Sequence, residues 1–339
     1  MRRPLRTLAA ATSAAMLSVT LITAAPASAD DRPTAAVSLG DSATSGEGAR
    51  SYESGTDQTG VNQCHRSTVS YIHRTNIPGI DETINLACSG ADTGNLMIGG
   101  SGQWNEAGQA DQLAQVAVSH AIELVTVQIG ANDEPGFAET VIECVFAWAS
   151  VFGPGCRDTI GAEWPDRVAA MKPKAVAAVQ DVRQVMADAG YAESDYDLVI
   201  VSYASPVTEN MQFGHALEGC PIRKADARWG RTVATVLLSD ALADVAAQTG
   251  ARFLDMSRAT EGHEACNRSV PRSQEWVRPL TVRLEQLLYG VDSHLVQESF
   301  HPNARGHDQM GRCLGEFAVG GASSATCLKG GDGNLHPQS

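Results

Sequence analysis

Positively charged residues are scarce in this sequence: 25 Lys and Arg stand against 39 Asp and Glu, for a formal net charge of −14. Nucleic acids and anionic membrane surfaces are unfavourable partners for such a chain, because they are themselves negatively charged. After the N-terminal region, no segment has the roughly 20 consecutive apolar residues that a transmembrane helix needs. The C-x-x-C, H-E-x-x-H and G-x-S-x-G motifs are also absent, as are internal repeats, so the common zinc and nucleophile-elbow signatures are missing.

The N-terminal region has the three parts of a secretory signal peptide. A basic start with Arg2, Arg3 and Arg6 precedes an apolar run over Leu8–Ala25. The segment Ala27–Ala29 then forms an A-x-A cleavage signal. We therefore expect residues 1–29 to be removed and the protein to be secreted into the extracellular medium.

Eight cysteines follow the predicted cleavage site. An even number of cysteines in an oxidising compartment predicts disulfides, although sequence alone leaves their pairing open. The simplest hypothesis pairs nearest neighbours: Cys64–Cys88, Cys144–Cys156, Cys220–Cys266 and Cys313–Cys327. A zinc site is the alternative, and its candidate ligands are His215, Cys220, His263 and Cys266. The missing ligand motifs disfavour this alternative, and we expect neither a metal nor a cofactor.

Apolar residues make up 43% of the chain, which is enough for a sizeable core. Short runs rich in Val, Ile and Leu alternate with helical patterns, and this alternation is typical of a parallel sheet covered on both faces. The sequence therefore predicts an α/β protein, a three-layer α/β/α sandwich with a parallel sheet of five strands. The predicted strands are Ala35–Gly40, Ile84–Cys88, Glu123–Gly130, Asp197–Ser202 and Ala251–Asp255.

Helices are predicted between and after these strands. One contains Val168–Met186, where Pro173 marks either its start or a kink, and others cover Val233–Thr249, Ser273–Tyr289 and Asn303 to about Phe317. The longer connections each contain cysteine and are interpreted as disulfide-stapled insertions on one α/β domain over residues 30–328. Those connections are Glu134–Trp164, Pro206–Asp226 and Met256–Pro271. The remaining tail, 329–339, is rich in Gly and polar residues and is expected to be loose.

Polar residues follow the ends of three predicted strands. Ser42 follows the first strand, Gly90 follows the second, and Asn132 follows the third, while His301 comes near the C-terminus. Because ligands bind beyond the carboxyl ends of the strands in an open parallel sheet, we expect these residues to meet at one edge. Each one alone has a plain structural explanation, such as a helix cap or a tight turn, but their coincidence does not.

Together these residue types can perform acyl transfer. Ser42 is the candidate nucleophile and His301 the base that activates it. Glu298, three residues before the histidine, is the candidate carboxylate that orients the imidazole. The oxyanion would be bound by the backbone N–H groups of Ser42 and Gly90 and by the Asn132 amide.

The sequence around these residues forms four blocks that resemble those of the SGNH (GDSL) hydrolase family, in its branch of secreted actinobacterial lipases and esterases. The blocks are Gly40-Asp41-Ser42, Cys88-Ser89-Gly90-Ala91, Gly130-Ala131-Asn132-Asp133 and Phe300-His301-Pro302-Asn303. The resemblance implies a flavodoxin-like sandwich, ester hydrolysis without a metal, and the first three nearest-neighbour disulfides. It points to lipid or short-chain esters as substrates. From the acidic charge and the lack of a long apolar segment we expect no nucleic-acid partner and no stable membrane insertion, and we assume a monomer.

The sequence departs from the family pattern at two positions. Glu298 stands where the family usually has Asp, although some members of this branch use a backbone carbonyl in that role. Ala43 replaces a bulkier residue after the serine. The rival base is His294, with Asp292 beside it, whereas no motif assigns a role to His65.

A non-catalytic, flavodoxin-like ligand-binding module is the alternative function. Gly46-Glu47-Gly48 offers glycines after the first strand, but Glu47 is a poor neighbour for a phosphate group. An aromatic cluster in the first insertion has two interpretations, a wall or lid for an acyl chain and the core of a small subdomain. That cluster consists of Phe146, Trp148 and Phe152.

Overall fold

The computed structural model describes residues 32–150, 152–280 and 297–339. The predicted signal peptide lies outside these ranges, as do His294 and Asp292. None of the helices within them is both long and apolar enough to span a bilayer.

A seven-stranded sheet forms the centre of the described chain, with the strand order β2-β1-β3-β4-β5-β6-β7. All neighbouring pairs are parallel except β6 and β7, which are antiparallel. The five predicted strands are confirmed with ends shifted by a few residues, but the sheet has two more strands at one edge. The strands are β1 Thr34–Gly40, β2 Glu82–Asn85, β3 Ala121–Gln128, β4 Asp197–Val201, β5 Arg252–Asp255, β6 Ser324–Lys329 and β7 Leu335–Gln338.

The C-terminal tail is ordered, so the expectation that it is loose is wrong. Its glycines form a turn that returns the chain beside β6, with the Gly330 N–H donating to the Asn334 carbonyl at 2.7 Å. Leu335 is fully buried, and its N–H donates to the Gln309 side chain at 2.9 Å. The Gly-rich composition therefore serves a hairpin turn, where positive φ angles are needed.

Helices cover both faces of the sheet, as the predicted three-layer sandwich requires. Successive residues of the central strands alternate between two apolar cores: Val125 and Val127 face one core, and Leu124 faces the other. Burying each such side chain contributes about 1.5–3 kcal/mol. The α-helices of the described residues are α1 Ser42–Ser45, α2 Thr93–Leu96, α3 Gln109–Ser119, α4 Phe137–Ala149, α5 Cys156–Thr159, α6 Trp164–Asp188, α7 Lys224–Trp229, α8 Thr235–Thr249 and α9 Ala304–Val319.

Two of the predicted helices agree closely with the structure. Helix α9 begins after Asn303, whose side chain caps it by accepting from the N–H groups of Arg305 and Gly306. Helix α8 matches the predicted Val233–Thr249 in all but its first turn, where a π-turn over Gly230–Ala234 leads into it. Helix α6 begins at Trp164, so Pro173 lies inside it and does not mark its start.

The predicted helix over Ser273–Tyr289 is wrong in its described part. Arg272–Gln274 forms a single 3₁₀ turn, and the chain then runs extended to residue 280. This extended segment pairs with the His301 loop: the Arg278 N–H donates to the His301 carbonyl, and the Phe300 N–H donates to the Arg278 carbonyl, each at 2.9 Å. Long-range pairing has overridden the local helical pattern.

All four nearest-neighbour disulfides are present. Cys144–Cys156 joins α4 to α5 in the first insertion, which is mostly helical. Cys220–Cys266 connects the other two insertions, so the two cysteines of the zinc alternative are bonded to each other. Cys313–Cys327 ties α9 to β6 beneath the C-terminal hairpin.

Candidate active site

The candidate nucleophile, Ser42, is positioned by the tight turn at the end of β1. Gly40 has a φ of 151°, and a Cβ at this position would lie 2.2 Å from the Gln128 carbonyl oxygen, so only glycine fits. Asp41 then caps α1, accepting from the Ala43 N–H at 3.0 Å. Ser42 is the first residue of that helix, where backbone N–H groups have no intrahelical acceptor.

Ser42 and His301 lie in direct contact, although 259 residues separate them in the chain. The Ser42 Oγ is 2.7 Å from His301 Nε2, and His301 Nδ1 is 3.0 Å from the Ser299 carbonyl oxygen. A carbonyl can only accept, so Nδ1 carries the proton and Nε2 is left to accept the serine hydroxyl. The geometry therefore places a base on the hydroxyl and an orienting group behind the base.

Glu298 does not occupy the orienting position that the sequence analysis gave it. Its carboxylate accepts from the Arg50 guanidinium at distances of 3.0 to 3.2 Å, and it lies 3.8 Å from Arg278. The guanidinium offers a bidentate, charge-assisted contact, which is stronger than a neutral hydrogen bond. The Ser299 backbone carbonyl takes the position on the imidazole instead.

Gly90 and Asn132 are on the loops that follow β2 and β3, at the same edge as Ser42. The Asn132 Nδ2 donates to the Ala91 carbonyl at 2.9 Å, which fixes the orientation of the amide while its second proton stays available. Gly90 has a φ of 79°, and no atom lies within 4 Å of where its Cβ would be. The Gly90 backbone thus borders open space, as an oxyanion-binding group must.

Burial controls the protonation of the two groups that flank the serine. Desolvation lowers the pKa of His301 below its usual value. The imidazole is therefore unprotonated at pH 7 and can accept a proton. Phe137 packs its ring edge-to-face with the imidazole at 5.7 Å and contributes to this dry environment. Burial raises the pKa of Asp41 to about 7, against the opposing hydrogen bond from Tyr203.

Three residues at the site were missed by the sequence analysis. The Tyr203 hydroxyl, just beyond β4, donates to Asp41 and accepts from the Ala131 N–H at 3.3 Å. Its place after a strand end was a usable signal. Glu47 and His65 form a buried pair 2.7 Å apart beside the site, and no motif marks either residue.

An apolar pocket adjoins Ser42 and His301. Its walls include neighbours of the site residues, namely Ala131, Phe137, Tyr203 and Phe300, and it extends between α4 and the start of α6. Phe146 and Phe152 do not line this pocket and are 47% and 102% exposed. These two residues therefore form neither the predicted acyl-chain wall nor a buried core, and Val141 and Cys144 of α4 line the pocket instead.

Residues 38–309 match the model of the GDSL-like Lipase/Acylhydrolase family. The chain belongs to this family. Lipase 2 of Streptomyces coelicolor is 28% identical over 91% of this chain and 95% of its own length. A lipase of Streptomyces rimosus is 27% identical over 80% of this chain and 82% of its own length.

Solved structures support the fold assignment. The extracellular lipase of Streptomyces rimosus has a TM-score of 0.53 and 24% identity, covering 84% of this chain and all of that one. The phospholipase A1 of Streptomyces albidoflavus has a TM-score of 0.51 and 24% identity, covering 81% and 94%. With the family shown, this member of the GDSL-like family is a carboxylic ester hydrolase, and the non-catalytic alternative has no support.

Proposed function

We propose that this family member hydrolyses esters through an acyl-enzyme on Ser42, with His301 as general base. The 2.7 Å contact between Ser42 Oγ and His301 Nε2 is the observation that supports this assignment. His301 takes the hydroxyl proton as Oγ attacks the ester carbonyl, and then gives that proton to the leaving alcohol. A water molecule then attacks the acyl-enzyme: His301 takes a proton from the water and returns it to Ser42 Oγ as the bond to the acyl group breaks and the acid leaves.

The negative charge that develops on the carbonyl oxygen needs preorganised donors. We assign this role to the N–H groups of Ser42 and Gly90 and to the free proton of the Asn132 amide. The Ser299 carbonyl keeps His301 in the required tautomer through its 3.0 Å contact with Nδ1. Glu298 has no part in this mechanism, because its carboxylate is bound to Arg50.

The apolar pocket beside the site fits the acyl chain of a lipid or short-chain ester. The named relatives are lipases, and one of them is described as extracellular. Together with the A-x-A signal at Ala27–Ala29, this supports secretion of the mature chain. We further propose that the enzyme acts as a monomer.

The proposal is tested with the mature chain and a chain-length series of p-nitrophenyl esters, together with phosphatidylcholine. Activity toward one or more of these esters is expected, and Ser42→Ala should lower kcat by several orders of magnitude while circular dichroism shows an intact fold. Near-normal turnover by folded Ser42→Ala would contradict the mechanism. The series also identifies the preferred acyl length.

A further inference from the structure

Glu47 is a fully buried carboxylate in the turn that follows α1. Its Oε2 accepts from His65 Nδ1 at 2.7 Å and from Ser89 Oγ at 2.8 Å, and its Oε1 accepts from the Tyr52 hydroxyl at 3.0 Å. Burial opposes ionisation, but the hydrogen bond and charge of His65 keep the pKa of Glu47 below its usual value. Glu47 is therefore a negative charge enclosed in the protein.

The contacts of His65 favour its protonated, positively charged form. Its Nδ1 faces Glu47, and its Nε2 lies 3.4 Å from the Asp57 carboxylate, so both ring nitrogens face acceptors. Burial opposes the charge, yet the hydrogen bond to Glu47 raises the pKa of His65. The ring of Tyr52 stacks on the imidazole at 4.7 Å and closes this side of the pair.

The turn that carries Glu47 contacts both the oxyanion loop at Gly90 and the general base His301. Ser89, which donates to Glu47, directly precedes Gly90 of the proposed oxyanion hole. On the other side, Gly48 packs against the histidine: a Cβ on Gly48 would lie 3.0 Å from the His301 Cβ. The turn carrying Glu47 thus lies between the oxyanion loop and the general base.

His301 needs a nearby negative charge when it becomes an imidazolium during catalysis. The Ser299 carbonyl on Nδ1 is a dipole without a formal charge. Glu298 lies on the same segment, but its charge is compensated by Arg50 and Arg278. On α9, burial lowers the pKa of His307 to about 3, so that side chain carries no charge near neutral pH.

Charges on the remaining side come from the Glu47 cluster itself and from the cap of α1. There the Asp41 carboxylate accepts from the Tyr203 hydroxyl and from the Ala43 N–H. The negative charge of Glu47 acts on His301 in the direction that favours its protonated form, against the effect of burial. Glu47 is thus an enclosed carboxylate whose charge acts on His301, and its hydrogen bonds come from a histidine, a serine and a tyrosine, whereas Glu298 is bound by arginine.

We propose that Glu47 is a positioning residue for the hydrolysis: it stabilises protonated His301 through space and anchors the oxyanion loop through Ser89. The proposal rests on the proposed function and extends it. It explains how a family member with a backbone carbonyl behind its histidine provides the charge that a triad carboxylate otherwise supplies.

The first test is Glu47→Gln in the mature enzyme, with kcat, KM and the pH profile of kcat/KM measured on a p-nitrophenyl ester. Loss of one oxyanion donor costs about 10²–10³ in rate, so weakening its support should lower kcat on the order of tenfold, with KM nearly unchanged. Removing the negative charge lowers the pKa of His301, so the acidic limb of the profile should move to lower pH. An acidic limb that stays in place in folded Glu47→Gln would overturn the proposal.

Glu106→Gln is the matched control. Glu106 is a partly buried carboxylate. It binds Arg66, the residue after His65, at 2.6 and 2.8 Å. Its substitution should leave the acidic limb in place, because Glu106 bonds to Arg66 and Asn62 and not to the groups around His301. A limb displaced equally by both variants would assign the effect to general loosening and contradict the proposal.

Two further variants decide the question if Glu47→Gln does not fold. His65→Gln removes the cation that partly neutralises Glu47, so the acidic limb should move to higher pH. Ser89→Ala keeps the charge but cuts the link to the oxyanion loop, so kcat should fall severalfold with no movement of the limb. An acidic limb that does not move in His65→Gln would refute the charge effect on His301. An unchanged kcat in Ser89→Ala would refute the anchoring of the oxyanion loop. Near-normal activity in Ser42→Ala would instead refute the underlying mechanism.

Discussion

The substitution Glu298→Gln tests whether a carboxylate orients His301, as it does in a Ser-His-Asp triad. Loss of the carboxylate in a Ser-His-Asp triad slows turnover about 10⁴-fold, because the imidazole then adopts the wrong tautomer. Here the tautomer is set by the Ser299 carbonyl, 3.0 Å from His301 Nδ1, and the Glu298 carboxylate binds Arg50. We therefore expect Glu298→Gln to retain turnover within severalfold of wild type.

The stability cost of the same substitution follows from the exposure of the ion pair. The Arg50 side chain is 61% exposed and the Glu298 side chain 23% exposed, so solvent screens the interaction. Such pairs contribute roughly 0.2–1 kcal/mol, and urea unfolding should show a loss of stability in this range.

Steady-state kinetics on a soluble p-nitrophenyl ester measures the effect on turnover. Arg50→Gln breaks the same ion pair from its other side and serves as the matched control, with an equally small expected change. If Glu298→Gln alone slowed turnover by several orders of magnitude while Arg50→Gln did not, the reasoning would be refuted and the carboxylate restored to the mechanism.

Two other predictions concern the oxyanion hole and the base. Asn132→Ala should slow turnover about 10²–10³-fold with little change in KM. If steady-state assays show a change in KM alone, Asn132 has no role in stabilising the transition state. Because burial lowers the pKa of His301, the neutral base should persist below the ordinary histidine pKa of about 6.5. Activity should therefore fall, as pH decreases, only below that value, and an acidic limb above it in the kcat/KM profile would contradict this assignment.

Much of the fold could be predicted because the relevant signals are local. Three of the five predicted strands, β1, β3 and β4, are apolar runs that are buried on both faces. The helices between the strands repeat apolar residues at helical spacing. The strands that were missed have a different origin. Ser324–Lys329 has few large apolar residues and becomes a strand because β5 and β7 pair with it. The helix predicted from Ser273 failed for the same reason, since its described part pairs with the loop of His301.

The candidate site could be predicted from the sequence because the carboxyl ends of parallel strands lie at the same edge of the sheet. Ser42, Gly90 and Asn132 each follow such an end, and the Ser42–His301 contact agrees with that expectation. Glu47 and His65 carried no signal, because a buried ion pair is recognised only when two distant segments are seen together. Tyr203 also follows a strand end, that of β4, so the same reasoning applies to it.

The sequence by itself determined the class of chemistry and the edge of the sheet where it takes place, since residue type and strand order suffice for both. Only the tertiary structure decided which group stands behind His301. Phe300 has a φ of 60°, and this turn of the chain directs the Ser299 carbonyl toward the imidazole. Arg50, 248 residues away in the chain, holds the neighbouring carboxylate elsewhere. Both effects depend on backbone conformation and long-range charge pairing, which spacing along the chain does not encode.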